Sequence, residues 1–378
     1  RSGAEAQSAG WLDSMRRMLR GDSGCWQAFF RGFLSPDGLA AVTLVVLSGL
    51  VLGVRLYVGG GLAVPLWGDG YQHTVMAQLI ADNQGLFDSW APYAPLTTFT
   101  YHFGFHANVA AFHWLSGAPV IHATIWVGQI LNALAVLCLY PLAVKVSGGK
   151  RWAGVGAVLA AGLLLPMPMY YVNWGRYTQL AGQVILAVAV YLSWSFFEAP
   201  KRDARVVSVW IAVAGLAVTH YRVLAFYIVF VLVYLALSWR RETWRRSLMH
   251  VAWVGGGAFL LFVPWLIRVL PGQVAQILLH QVKTAATQVS TFDMQYNTIG
   301  DIRLFMAPWA WLLLAVSLGV GLWRRQRGVL LVAAWWFALL VLTNPSWVSL
   351  PGTGAISNFA LFIGLYIPAG VLIGNTLG

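Results

Sequence analysis

Asp69 and His73 stand four residues apart in "PLWGDGYQHTVMAQLIADNQG", Pro65 to Gly85, so on a helix they share one side. The stretch directly follows a run of about twenty apolar residues, the length that crosses a bilayer. Only 12 residues of 378 are acidic, and an aspartate at this mouth needs a reason. A carboxylate here can cap the exposed amides of a helix that starts beside it, or it can take a proton in a partly desolvated pocket. Two arginines belong to the same question: Arg176 in "NWGRYTQLAG", Asn173 to Gly182, and Arg222 in "THYR", Thr219 to Arg222. A guanidinium carries a permanent charge and paired donors that match phosphate, although at a span end it can also snorkel to lipid headgroups. His73 and His220 add imidazoles able to hydrogen-bond nearby.

The elements that must position these side chains are membrane helices. The chain is 59% hydrophobic and 10% charged, with 20 tryptophans, a composition that water would not keep dispersed. The expected fold class is all-α, a polytopic membrane helix bundle of about 10 transmembrane helices, with amphipathic surface helices in the first outer loop. Apolar stretches lie at roughly 38 to 58, 118 to 146, 152 to 172, 178 to 197, 206 to 219, 223 to 239, 250 to 270, 304 to 323, 328 to 343 and 356 to 375. Residues 206 to 239 are nearly continuous, but as one helix they would be about 51 Å long, too long for a hydrocarbon core of about 30 Å. Two short passes, or a re-entrant pair, leave His220 and Arg222 at the outer turn.

The net charge of +12 does not point to nucleic acid, because of where the basic residues fall. With a cytoplasmic N-terminus, the inner side receives Arg1, Arg16, Arg17, Arg20, Arg31, Lys145, Lys150, Arg151, Lys201, Arg202, Arg205, Arg240, Arg241, Arg245, Arg246, Arg324, Arg325 and Arg327, which is 18 of the 24. Arg55, Arg176, Arg222, Arg268, Lys283 and Arg303 remain outside and require individual explanations.

The reading of the domains is a cytoplasmic segment over 1–37 and a single transmembrane domain over 38–378, with outer loops at about 59–117, 173–177, 271–303 and 344–356. The chain starts at Arg1 and ends on "GNTLG" straight after a span, as a part of a longer protein would. Residues 1 to 30 lack the apolar core of a signal peptide, so the first span would itself direct insertion. Cys25 and Cys138 offer neither a disulfide nor metal-type spacing. No internal repeat is visible, which counts against carriers built from inverted halves.

In the first outer loop, Val75, Met76, Leu79 and Ile80 form one helical stripe ending near Gly85, as in a helix lying flat on the membrane surface. His102 to Gly117 offers a second such helix. His102, His106 and His113 lie within about 40° of one another on it, a possible metal face, although polar interface packing is the preferred reading. The tryptophans fall mostly near span ends, as interface anchors do, with substrate stacking by Trp174 a lesser option. Asp293 and Asp301, in the outer segment 271 to 303, read as loop-turn and helix-start residues.

A first span ending in a long outer loop with an aspartate at its start, a surface helix of form D-x3-H, the later "NWGRYTQLAG" and a many-span body together resemble the GT-C class of membrane glycosyltransferases. They are similar to the bacterial members that take sugars from polyprenyl-phosphate carriers. The resemblance covers residues 38 to 300 in topology, and the loop aspartate is its most specific part. It implies an inverting transfer on the outer face, in which Asp69 takes the proton of an acceptor hydroxyl while the lipid phosphate leaves. It further implies substrate-binding roles for His73, Arg176, Tyr177, His220 and Arg222, with Arg176 and Arg222 holding phosphate. The sequence departs from metal-dependent relatives, having "DGY" where they carry two acids one residue apart, so a bound divalent cation stays an open but disfavoured option, no metal ligand is assigned and no cofactor is required. The C-terminal soluble domain of many members is absent from this chain. Implied partners are membrane lipids, a polyprenyl-phosphate sugar donor and an acceptor of unassigned kind, with no nucleic acid. The implied location is a bacterial plasma membrane.

Two other classes stay open on the sequence: a lipid or solute transporter, disfavoured by the scarcity of ionisable groups at mid-membrane depth, and a non-catalytic subunit of a larger membrane complex with membrane-protein partners.

Overall fold

The computed structural model describes residues 20, 23–200, 203–239, 244–270, 297–350 and 356–378. All regular structure among them is helical. Contacts divide the chain into two compact units, Arg1–Leu47 and Ser48–Gly378. In the first, α1 (Ser23–Phe33) exposes Trp26, Phe29, Phe30 and Phe33, whose rings pack on one another, and α2 (Pro36–Gly60) begins.

The second unit continues α2 and adds α3 (Trp67–Asp82), α4 (Gly104–Ser116), α5 (Val120–Leu137), α6 (Leu139–Val146), α7 (Arg151–Leu159), the four-residue turn α8 (Tyr171–Trp174), α9 (Tyr177–Phe197), α10 (Arg205–Thr219), α11 (Tyr221–Leu237) and α12 (Trp244–Val269). After residues outside the described set come α13 (Pro308–Trp323), α14 (Arg327–Thr343), α15 (Asn358–Ile363) and α16 (Tyr366–Leu377). Each apolar stretch read from the sequence except 152 to 172 coincides with helix over most of its length. Among the described residues, five helical segments are long and apolar enough to cross a membrane, and five apolar ones are shorter, 10–17 residues. The protein is an integral membrane protein with a polytopic, all-helical fold.

The long stretch over residues 206 to 239 does break into two helices. His220 leaves the helical region at φ −165° and ψ 109°, and its ring accepts the Val223 amide to start α11. The stretch 152 to 172 deviates: α7 runs into a π-helical turn, Ala160–Leu164, and then unwinds. A π turn frees carbonyls that a bilayer cannot solvate. Arg55, fully buried, meets that need, its Nη2 donating to Gly162 O at 2.9 Å and its Nε to Asn132 Oδ1 at 2.8 Å. One of the arginines expected on the outer side is thereby explained as a structural brace.

Helix α9 runs through the middle, packing on α5, α6, α10 and α11. Helix α16 lies against α7 so closely that any side chain at Gly374 would meet the Ala153 and Ala157 backbone. Small residues let membrane helices approach in this way when no hydrophobic force separates protein from lipid. Over the end of α9 that begins at Tyr177, α3 and α4 pack on each other and on α5, burying Met76, Leu79, Ile80, Phe99 and Phe105. The Val75–Ile80 stripe therefore faces protein; α3 is held down by packing rather than lying on lipid alone.

Candidate functional site

Helix α3 starts at Trp67, itself at a positive φ of 65°, a conformation that costs a non-glycine residue of order 1 kcal/mol or more. Its N-cap is Leu66, without a side-chain cap bond, so Asp69 is in the first turn but is not the cap. The capping reading of Asp69 is thus corrected. The Asp69 carboxylate meets Arg176 instead, Oδ2 to Nε at 3.0 Å, with both side chains about one third exposed at 32% and 37%.

Gly175 makes this meeting possible. It sits at φ +59°, where a side chain is strained, and a Cβ there would collide with the Gly70 backbone and Leu66 O. The "NWGRY" bend is therefore pressed directly on the start of α3, which brings Arg176 to Asp69 across 107 residues of sequence. On its other side the Arg176 guanidinium lies over the Phe359 ring, 5.3 Å from its centroid, and Trp174 packs edge-on to the same ring at 5.4 Å. Phe359 is fixed because its neighbour Asn358 is fully buried and locked to Asn344 by two side-chain bonds of 2.7 and 2.9 Å, and to Asn297 Oδ1 through its amide.

Behind the ion pair stands an aromatic and imidazole wall. Tyr101 contacts Thr178 and lies within electrostatic reach of Asp69, Arg176 and Arg222 alike; burial pushes its phenol up. Its ring packs on His102 at 3.8 Å, and His102 on His220 at 4.6 Å. His73 Nδ1 and His106 Nε2 share a hydrogen bond of 3.1 Å, one ring donating and the other accepting. All four imidazoles are buried. Burial, then the Arg176 charge, lowers His73 from 6.5 to about 4; burial, then Arg222, lowers His220 to about 3. Burial likewise holds His102 and His106 well below the usual range, so the wall is uncharged at neutral pH.

Other expected residues lie elsewhere. Tyr177 is fully buried, stacked on Phe105 at 5.5 Å and pressed on Gly128, with its hydroxyl facing the core instead of the cleft. His113 turns away and bonds Ala118 O at 2.7 Å through Nδ1, so it does not join His102 and His106; no metal-holding group of three or more His, Cys, Asp or Glu occurs among the described residues. Asp301 opens a 3-10 turn, accepting from the Arg303 amide, and pairs with the Arg303 side chain, while Asp293 and Lys283 lie outside the described residues. Arg268 pairs with Asp88 at 2.8 Å. Of the cations expected on the outer side, Arg222 alone among the described residues is exposed without a carboxylate partner or a buried bracing role. Tyr101, Phe359 and Thr178 were not singled out in the sequence, although the "TYHFGFH" run that holds Tyr101 shows aromatics interleaved with histidines.

No family model and no curated protein matches this chain. Its fold is similar to that of ArnT from Cupriavidus metallidurans bound to undecaprenyl phosphate, with a TM-score of 0.64 at 16% identity over 91% of this chain. The apo state of ArnT gives 0.61 at the same identity. The chain spans 60% of the length of that ArnT chain. The helical architecture is thus similar to that of ArnT, a polytopic helical fold as expected from the sequence.

Proposed function

We propose that this chain is a membrane glycosyltransferase that moves a sugar from a polyprenyl-phosphate carrier to an acceptor hydroxyl. The observation that carries the reading is the Asp69–Arg176 pair at the mouth of an ArnT-like helical fold, with Arg222 facing the same Tyr101. In this reading the donor phosphate competes with Asp69 for Arg176 and also engages Arg222. Release of Arg176 frees the carboxylate. The acceptor oxygen then attacks the anomeric carbon from the face opposite the phosphate, its proton passes to Asp69, and the bond from that carbon to the phosphate oxygen breaks. The configuration inverts, and polyprenyl phosphate leaves with its charge met by the two guanidiniums. The neutral histidine wall supplies hydrogen-bonding atoms and shape without a competing charge. No cofactor is needed, because arginine supplies the positive charge.

An apolar groove supports a lipid donor. A cavity of about 410 Å³ between α10, α11 and α12 is lined by Ala217, Leu224, Ala258 and Phe262 near its outer end and by Val231 and Leu235 further in. Leu224 lies about half a helical turn from Arg222, so the outer end of this groove reaches the level of the arginine along α11. The proposed setting is a bacterial plasma membrane, with the basic loops cytoplasmic and Asp69 on the outer face.

The test reconstitutes the chain in vesicles with a panel of polyprenyl-phosphate sugars and follows release of polyprenyl phosphate. Asp69→Asn is expected to lose about 100-fold or more of the wild-type rate while remaining folded, the scale of a removed general base. Equal rates would remove Asp69 from the chemistry.

A further inference from the structure

At the far end of α9 from Asp69, a second cavity of about 470 Å³ opens between the ends of α9 and α11 and the starts of α12 and α14. A helix of α9's length places it about 30 Å away, the thickness of a hydrocarbon core. Its walls are of two kinds. Arg246, Ser247, Ser238 and Arg327 bring polar groups to the lining, and Phe197, Leu237, Leu330 and Leu331 bring apolar ones. No carboxylate among the described residues pairs with Arg246 or Arg327. The one acid in the cavity, Glu198, is already engaged: Oε2 with Lys145 Nζ at 2.7 Å and Oε1 with Trp194 Nε1 at 2.7 Å. The local balance is therefore cationic.

We infer that this cavity is a binding site for an anionic phospholipid, its phosphate held by Arg246 and Arg327 and its acyl chains lying against the cavity's own apolar residues, Phe197, Leu237, Leu330 and Leu331. A zwitterionic lipid would leave the two guanidiniums partly uncompensated. Free phosphate would leave the apolar wall facing water, and a soluble acidic protein could not reach into a groove bounded by membrane helices. The inference is independent of the glycosyltransferase reading, since it concerns the opposite face and requires no catalysis.

Native mass spectrometry of the full chain released from detergent, with phosphatidylglycerol or phosphatidylcholine added, tests it directly. One phosphatidylglycerol is expected to stay bound, and the double substitution R246Q/R327Q is expected to weaken retention about tenfold or more, the scale of removing two interfacial cations. R324Q/R325Q, which changes two arginines outside the cavity, is expected to leave retention unchanged. Ser247→Phe, which fills the cavity without removing charge, is expected to act like the double substitution, and it provides the reading if R246Q/R327Q does not fold. Equal retention of both lipids, or unchanged retention in both cavity variants, would overturn the inference. So would displacement of the lipid by millimolar inorganic phosphate, which would mark a free-phosphate site, or displacement by an acidic peptide, which would mark a protein-docking site.

Discussion

Arg222 and His73 carry opposite kinds of demand at the same site. Arg222 is exposed, and among the described residues no carboxylate neutralises it, so a phosphate is a fitting partner. Replacing it by glutamine is expected to weaken donor binding tenfold or more, about what the loss of a charge-assisted bond entails, and lysine should restore only part because it lacks the planar fork. A donor titration on both variants checks this; full activity of Arg222→Gln would shift the phosphate role away from it. His73 and His220 are buried and neutral, with pKa values lowered from 6.5 to about 4 and about 3. The unfolded chain protonates them near 6.5, so their contribution is intact above that pH and is lost progressively as the pH falls toward 4 and then 3. Thermal stability of the purified protein should be flat above neutrality and should decline below about pH 6, by on the order of 1 kcal/mol per ring per pH unit. A melting temperature unchanged down to about pH 4 would contradict the buried, neutral assignment.

At the scale of elements, the site depends on one bend pressing on one helix start. Gly175 combines a positive φ with contact on Gly70 that leaves no room for a Cβ. Gly175→Ala should therefore push the "NWGRY" bend off α3 and separate Arg176 from Asp69. The expected outcome is transfer activity lowered at least about tenfold with helical content by circular dichroism unchanged, since a misplacement of about 1 Å in a positioned site costs this much or more. Wild-type activity in that variant would show that the pairing is dispensable. Elements were the most legible level in the sequence. Apolar length marked the helices, and the limit of the bilayer's thickness required a break at His220. What the sequence did not carry was tertiary: Arg176 meets Asp69 through a bend whose only local sign is a glycine, and Tyr177, adjacent to Arg176, points into the core because the helix turns it by about 100° per residue. The brace from Arg55 to the π turn was equally hidden, because a π turn leaves no periodic signature.

At the largest scale, across the unit Ser48–Gly378, charge and apolarity are segregated along the helices. Basic side chains gather at one end, where Arg246 and Arg327 open on a cavity, and the Asp69–Arg176 pair, the histidine wall and Arg222 gather at the other. An apolar groove along α10 to α12 runs between them. The likeness to ArnT gives the fold, and the local chemistry gives the reading of a phosphate-linked donor. The most direct measurement is a structure of the chain in a lipid nanodisc with a polyprenyl phosphate bound. The account predicts the phosphate on Arg222 and Arg176, the Arg176–Asp69 contact opened, and the isoprenoid chain beside Leu224 and Phe262. A phosphate bound elsewhere, with the Asp69–Arg176 pair still closed at 3.0 Å, would contradict it.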